Sequence, residues 1–255
     1  MYNGFMKKKD VVSTVLILFF GIVALVSIFN IGKILISSRK QEAAFKQVEE
    51  LVAEEEEGTD ENGVLLRYSR VFAVNNDLYG WIRVKGTPID YPVMYTPDDP
   101  EYYLRRTFSK EWADKGTPFV DGSCFPGCGN LIIYGHNTSG STMFGRLSDY
   151  KDLSFFEKYP TIDFDTIYED GEYQIIATFF GRILNQDEEG FRYYYQTDLT
   201  DPGVFAAYVK NVKEMSLYDT GVDAEYGDEL ITLSTCSKHE ENGRFVVVAK
   251  KIKTD

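Results

Sequence analysis

The hydrophobic pattern divides the chain into an apolar N-terminal segment and a longer segment of mixed character. Residues 11–32 carry no charged side chain and are mostly Val, Ile, Leu and Phe. A helix of this length rises roughly 33 Å, enough to cross the hydrocarbon core of a membrane. Lys7, Lys8 and Lys9 precede it and favour a cytoplasmic N-terminus. The run is too long for a typical signal-peptide core and no small-residue cleavage site follows. We therefore expect an uncleaved transmembrane anchor with residues 1–10 as a cytoplasmic tail.

A polar segment separates the predicted anchor from a segment with the pattern of a folded domain. Residues 33–63 are increasingly acidic and include four consecutive glutamates, Glu54–Glu57. Such a run of like charges is typical of a solvated stalk or linker and not of a metal site. From Val64 onward, apolar residues fit one helical face and predict an amphipathic helix over 64–80 that packs on the domain: Leu65, Leu66, Tyr68, Val71, Phe72 and Leu78. We expect residues 64–255 to form one extracellular domain.

Short apolar runs separated by Gly, Pro and Asp turns predict that this domain is mainly β. Residues 142–159 predict one or two short helices. The segment 201–215 predicts a longer helix, because an acid and a proline open it and Phe205, Val209 and Val212 form a stripe for burial. Many short strands with few helices indicate a β-barrel or sandwich with inserted helices. The predicted strands are 81–84, 89–95, 118–120, 130–134, 161–167, 173–183, 230–235 and 245–249.

Composition and charge narrow the range of functions. The formal net charge of −13 argues against a nucleic-acid partner, because no basic patch is present to neutralise phosphates. The chain has three cysteines, an odd number, so at least one thiol is free or pairs with another molecule. Cys124 and Cys128 are four residues apart and are either loop thiols or a small local disulfide, which leaves Cys236 unpaired. Two cysteines and two scattered histidines do not make a metal-ligand spacing, so we expect no metal.

One stretch near the C-terminus combines two apolar strands with reactive side chains. Cys236 ends the run 230–235, and Arg244 begins the next run after an Asn242-Gly243 pair that is typical of hairpins. Facing residues of an antiparallel pair have Cβ atoms roughly 5 Å apart. The thiol and the guanidinium therefore share one end of a sheet.

A nucleophilic cysteine needs a partner for proton transfer, and the chain has only two histidines. His136 follows the apolar strand 130–134 and is held by the sheet, whereas His239 lies in the flexible hairpin turn. We favour His136 on grounds of rigidity. The thiolate of Cys236 would attack a carbonyl, His136 would protonate the leaving amine, and Arg244 would stabilise the oxyanion.

Each of these residues also has a purely structural interpretation. His136 is a common kind of polar residue after a strand, and Cys236 is a common kind of small buried hydrophobe. Arg244 is a candidate for a surface ion pair with Glu240 or Glu241. Spacing alone identifies no Asp or Asn that orients His136.

The ordered motifs resemble those of sortases. Thr232–Cys236 followed by Asn242–Val248 resembles their Leu-x-Thr-Cys…Arg signature, and Ile132–Asn137 resembles their histidine strand. The resemblance covers about residues 65–252. Several further motifs are similar to class B sortases in particular: Trp81-Ile82, Ile89–Val93, Gly145 after Met143-Phe144, and Ser216–Gly221.

The resemblance implies a membrane-anchored cysteine transpeptidase of Gram-positive bacteria, with an eight-stranded β-barrel, N-terminal helices and a helix inserted before the cysteine strand. It implies cleavage of a C-terminal sorting signal of secreted proteins through a thioacyl-enzyme and transfer to a peptidoglycan amine, with no cofactor. Alternatives are a hydrolytic cysteine protease, a pilus-type sortase that joins subunits, and a non-catalytic receptor. We expect the segments 179–196 and 201–215 to shape the groove. The implied roles are Cys236 as nucleophile, His136 as general acid and base, Arg244 as oxyanion or positioning residue, and Ser234, Thr235 and Asn137 as substrate contacts.

Overall fold

The computed structural model describes residues 3–53, 56–138 and 142–253. Its first helix, α1 (Asn3–Glu49), is apolar and long enough from Val11 onward to cross a membrane, judged by length and composition. One compact unit ends at Ala44 and a second begins at Phe45. The predicted boundaries at residues 10, 32 and 63 stay predictions. Residues 1–2 of the predicted tail, and 54–55 of the predicted linker, lie outside the described residues.

Within its described residues, the second unit contains eight strands and three further α-helices. The helices are α2 (Leu66–Val74), α3 (Leu153–Lys158) and α4 (Pro202–Met215). Short 3-10 helices cover Tyr102–Arg105, Leu147–Lys151 and Tyr193–Tyr195. The strands are β1 (Leu78–Val84), β2 (Ile89–Met94), β3 (Phe119–Val120), β4 (Asn130–Tyr134), β5 (Thr161–Thr166), β6 (Glu172–Arg182), β7 (Leu230–Cys236) and β8 (Gly243–Lys251).

The strands close into a barrel in the order β1-β2-β3-β4-β7-β8-β6-β5, which confirms the predicted eight-stranded barrel. Neighbouring strands are antiparallel except for the β2–β3 and β4–β7 pairs. Alternate side chains of a strand point to opposite faces of the sheet. Ile231 and Leu233 of β7 therefore join the core cluster that also holds Ile133, Phe245 and Val247.

The outer face of β6, β7 and β8 is covered by α4. The Asp201 carboxylate caps this helix by accepting hydrogen bonds from the backbone N–H groups of Gly203 and Val204, and Pro202 occupies its first turn. The predicted helix over 201–215 is confirmed. Its buried face packs on the barrel, so β7 is covered on both faces and buries every residue before Cys236. That face consists of Phe205, Tyr208, Val209 and Val212.

The predicted helix over 64–80 is wrong at its C-terminal end. The helix ends at Val74, and Leu78, which fits the helical face by spacing, instead begins β1. The amide of Asn75 donates hydrogen bonds to the Tyr103 hydroxyl at 2.7 Å and to the Phe108 carbonyl at 2.6 Å. These tertiary contacts hold Asn75 in an extended conformation that cannot continue the helix.

Candidate active site

The strand register brings three reactive side chains to one end of the barrel. Cys236 at the end of β7 faces Arg244 at the start of β8. In the parallel β4–β7 pair, Tyr134 is in register with Ser234, and the Gly135 N–H continues the pairing with a 3.1 Å hydrogen bond to the Ser234 carbonyl. Two residues further along each chain, His136 is level with Cys236.

The three side chains border one groove of about 420 Å³. Strand residues Phe119, Tyr134, Ser234 and Thr235 also line it. The rest of its lining comes from the 3-10 helix Tyr102–Arg105 with the residues before it, from the residues on either side of β3, from the residue after β4, and from the segment after β6: Pro100, Glu101, Leu104, Thr117, Asp121, Gly122, Gly135, Ile183 and Tyr194.

Cys236 is exposed at the last position of a strand that is otherwise buried. The Asn137 side-chain amide donates a 2.7 Å hydrogen bond to the Cys236 carbonyl, and the Ser237 N–H donates one of 2.9 Å to the Gly243 carbonyl. These bonds fix the backbone on both sides of the thiol. The sulfur is thus accessible to a substrate while its strand is held by the barrel.

His136 is half-buried, and its Nε2 lies 2.9 Å from the Leu104 carbonyl oxygen. A carbonyl only accepts hydrogen bonds, so Nε2 carries a proton and Nδ1 is the basic nitrogen of the neutral ring. Burial lowers the pKa of His136 below its usual value, and the Arg105 guanidinium acts in the same direction, against the bond to Leu104. The imidazole is therefore neutral near pH 7.

Arg244 is half-buried and is tied to the hairpin turn through one nitrogen. Its Nη1 donates to the carbonyls of Asn242 at 3.2 Å and Gly243 at 3.0 Å. Within the described residues no carboxylate pairs with this guanidinium. Glu240, one of the two partners considered from sequence, instead lies 3.6 Å from Arg182 and 2.9 Å from His239.

His239 is outside the groove. Its Nδ1 lies 3.0 Å from the Ser237 hydroxyl, its Nε2 lies 2.9 Å from Glu240, and its ring packs on Phe180 with centroids 4.8 Å apart. The structure therefore gives His239 partners in its own turn and places it away from the groove lining, to which His136 belongs.

The three predicted substrate contacts differ in position. Ser234 borders the groove, and its buried hydroxyl lies 2.8 Å from the Tyr193 hydroxyl. Thr235 also borders it and donates a 2.7 Å hydrogen bond to the Gly135 carbonyl, which joins β7 to the end of β4. The lining of the groove does not include Asn137, whose amide holds the Cys236 carbonyl.

Sequence reasoning missed the group that orients His136, the Leu104 backbone carbonyl. Every residue has a carbonyl, so no residue type signals this role. It also assigned the helix 201–215 to the groove, but among the described residues the groove lining includes none from α4. The helix supports the site from behind, since the Tyr208 hydroxyl lies 2.6 Å from the Thr232 hydroxyl of β7.

Comparison with known proteins defines the class. A family model for the Sortase domain matches residues 82–252. Sortase B of Listeria monocytogenes is 32% identical over 186 residues, covering 70% of this chain and 71% of the relative. Sortase B of Staphylococcus aureus is 34% identical over 184 residues, covering 71% and 72%. With this closed barrel and these matches, the chain belongs to the sortase family of cysteine transpeptidases.

The relatives also define the class within the family. The structure of a Staphylococcus aureus sortase B-substrate complex has a TM-score of 0.74 and 28% identity, covering 86% of this chain and 100% of that chain. The Clostridium perfringens sortase B structure has a TM-score of 0.62 and 28% identity, covering 72% and 98%. The chain is a class B sortase.

Proposed function

We propose that this sortase cleaves the C-terminal sorting signal of secreted surface proteins and transfers them to an amine of the cell-wall peptidoglycan. The observation that carries the proposal is the convergence of Cys236, His136 and Arg244 on one open groove at the end of the barrel. A peptide lying in this groove has its scissile carbonyl near the exposed thiol.

In the first step, the Cys236 sulfur attacks the scissile carbonyl carbon, and the neutral His136 ring takes the thiol proton. Arg244 donates hydrogen bonds to the oxyanion that forms. The tetrahedral intermediate then collapses: the carbon–nitrogen bond breaks, and the His136 imidazolium protonates the leaving amine. The product is a thioester between Cys236 and the N-terminal part of the substrate.

In the second step, the acceptor amine attacks the thioester carbonyl and gives its proton to the neutral His136 ring. The carbon–sulfur bond then breaks, and the His136 imidazolium protonates the departing Cys236 thiolate. The groove is open, so water competes with the amine. A solved sortase B complexed with triglycine resembles this chain with a TM-score of 0.72 at 27% identity. That complex supports a peptide amine as the acceptor class here.

The apolar helix supports a place for the enzyme at the membrane. The lysines at positions 7–9 favour a cytoplasmic N-terminus, which would put the barrel outside. An enzyme and a substrate held at the same membrane face meet at a raised effective concentration. This arrangement fits a substrate that is caught while it leaves the cell. We propose a single-pass membrane protein that acts on the extracellular side.

The test is mass spectrometry of full-length protein in detergent, incubated with a panel of sorting-signal peptides and then with triglycine. We expect an acyl adduct on the Cys236 peptide that triglycine converts to a transpeptidation product. Cys236→Ala and His136→Ala should form no adduct, whereas the matched His239→Ala variant should behave as wild type. Equal loss in His239→Ala would overturn the assignment of His136, and hydrolysis alone in abundant amine would favour a protease. Joining of pilin-type subunits through a lysine amine would identify a pilus-type sortase.

A further inference from the structure

The segment between β3 and β4 brings two cysteines together by consecutive turns. The Cys124 N–H donates to the Asp121 carbonyl and the Cys128 N–H donates to the Phe125 carbonyl, both at 3.0 Å. Pro126 and Gly127 occupy the centre of the second turn, and Gly127 has φ of +80°. Proline followed by a residue with positive φ is the requirement of a type II turn. The turns therefore set the positions of both cysteines.

The two sulfur atoms contact the same oxygen atom. Sγ of Cys124 lies 3.6 Å, and Sγ of Cys128 lies 3.4 Å, from the carbonyl oxygen of Asn130, the first residue of β4. Their side chains are 3% and 1% exposed. The interaction between the two neighbouring thiols lowers the pKa of Cys128 and raises that of Cys124. Cys128 is thus the better nucleophile of the two, and Cys124 remains a thiol beside it.

A route for a small reactant leads to the pair. Cys128 borders a cavity of about 500 Å³, together with Phe125, Gly129 and Leu230. Gly129 and Leu230 lie where β4 and β7 begin, which is the end of the barrel opposite the Cys236 groove. Chemistry at this pair is therefore spatially separate from the catalytic thiol.

We propose that Cys124 and Cys128 form a thiol–disulfide exchange site that small extracellular disulfides convert to an intramolecular disulfide. Cys128 as thiolate attacks one sulfur of the small disulfide and releases one thiolate, which accepts the proton of Cys124. The Cys124 thiolate then attacks the Cys128 sulfur of the mixed disulfide and releases the second small thiolate, which takes from solvent the proton that Cys128 had given up. Two protein thiols are oxidised and one small disulfide is reduced to two thiols. Oxidation in the cell rests on the extracellular location proposed above.

The bridge would support one wall of the catalytic groove. The turn that positions Cys124 begins at Asp121, which borders the groove with Gly122. The Asp121 carboxylate accepts a 2.9 Å hydrogen bond from the Tyr134 hydroxyl, another group of the groove lining. Closing the loop restricts the unfolded chain, so we expect the oxidised protein to melt about 5 °C higher than the reduced protein.

The experiment traps thiols in cells of a Gram-positive host that produces the full-length chain. Cells are quenched in acid, unfolded in N-ethylmaleimide, and the digested protein is analysed by mass spectrometry. We expect Cys124 and Cys128 to be unlabelled and their peptide to be lighter by two hydrogens, whereas Cys236 is labelled. Reductant before the label should expose both. In Cys124→Ser and Cys128→Ser, the remaining cysteine of the pair should be labelled. Labelling of both without reductant overturns oxidation in the cell.

A second arm tests the site itself in purified protein. Full-length chain in detergent is equilibrated with oxidised and reduced glutathione at varied ratios, and labelled in the same way. We expect the fraction of protein with the Cys124–Cys128 disulfide to rise in a single transition as the ratio of oxidised to reduced glutathione increases. The same transition should occur in Cys236→Ala. Mixed glutathione adducts at all ratios, with no bridge, overturn the exchange site. Neither arm depends on catalysis, so failure here is distinguishable from failure of the acyl-enzyme experiment.

Discussion

Arg244→Lys separates the charge of Arg244 from its hydrogen-bonding geometry. The guanidinium is bound to the turn carbonyls of Asn242 and Gly243 through Nη1 alone, while its place opposite Cys236 directs the group to the groove. Five N–H donors in a rigid fork allow both tasks at once. A lysine ammonium is a single nitrogen on a flexible chain. It keeps the charge but cannot bridge the turn and bind the oxyanion with fixed geometry.

The size of the loss follows from the role of the lost donor. Removing one oxyanion donor costs about 10²–10³ in kcat, or about 2.7–4 kcal/mol of transition-state stabilisation. Since lysine keeps the positive charge, we expect about 10² for Arg244→Lys and about 10³ for Arg244→Met. An interaction made only in the transition state lowers kcat and kcat/KM together and leaves KM unchanged.

The assay measures acyl-enzyme formation and steady-state cleavage of a sorting-signal peptide by full-length protein in detergent. Arg182→Lys is the matched control: Arg182 lies on β6 opposite Gly243 and bonds Glu188, and it does not border the groove. We expect this control to cleave at the wild-type rate. Wild-type kcat/KM in Arg244→Lys, or an equal loss in Arg182→Lys, would refute the assignment of the oxyanion role.

Three further predictions concern the groups around the site. Burial lowers the pKa of His136, and the protonated ring cannot accept the thiol proton. Acylation should therefore fall with decreasing pH, with a midpoint below about 6.5. A pH profile of kcat/KM checks this, and an acid limb with its midpoint above pH 7 would contradict it. Asn137→Ala removes the bond to the Cys236 carbonyl and should slow acylation about threefold to tenfold, with unchanged urea unfolding. Tyr208→Phe removes the hydroxyl that bonds the buried Thr232 hydroxyl and should lower the free energy of unfolding by about 1–2 kcal/mol. The control is Tyr195→Phe, because the Tyr195 side chain is exposed, and equal effects of the two substitutions would contradict the role of the bond.

The parts of the site that follow from local pattern were predictable from the sequence. Cys236 and Arg244 are joined by a short turn, so two apolar runs and an Asn-Gly pair are sufficient to predict that they face each other. His136 is different, because its place beside Cys236 depends on parallel pairing of strands one hundred residues apart. Strand propensity predicts both strands but not their pairing, and the family resemblance provided that step.

The remaining parts depend on tertiary contacts that carry no periodic signal. The Leu104 carbonyl that bonds His136 lies in a 3-10 turn within a long irregular segment between β2 and β3. The helix 64–80 was extended too far because Leu78 fits a helical face as well as a strand, and the bonds of Asn75 to the loop are tertiary contacts that the helical pattern does not contain. The apolar stripe of α4 predicts burial but does not say which face of the barrel it covers.

The parallel β4–β7 pair has a consequence for when the enzyme becomes active. Antiparallel hairpins such as β7–β8 close early, because their partners are near in sequence, whereas joining strands separated by about a hundred residues comes late in folding. A partly folded chain with the hairpin therefore holds its thiol and guanidinium together, but lacks the imidazole. The reactive trio exists only once the seam between β4 and β7 has formed.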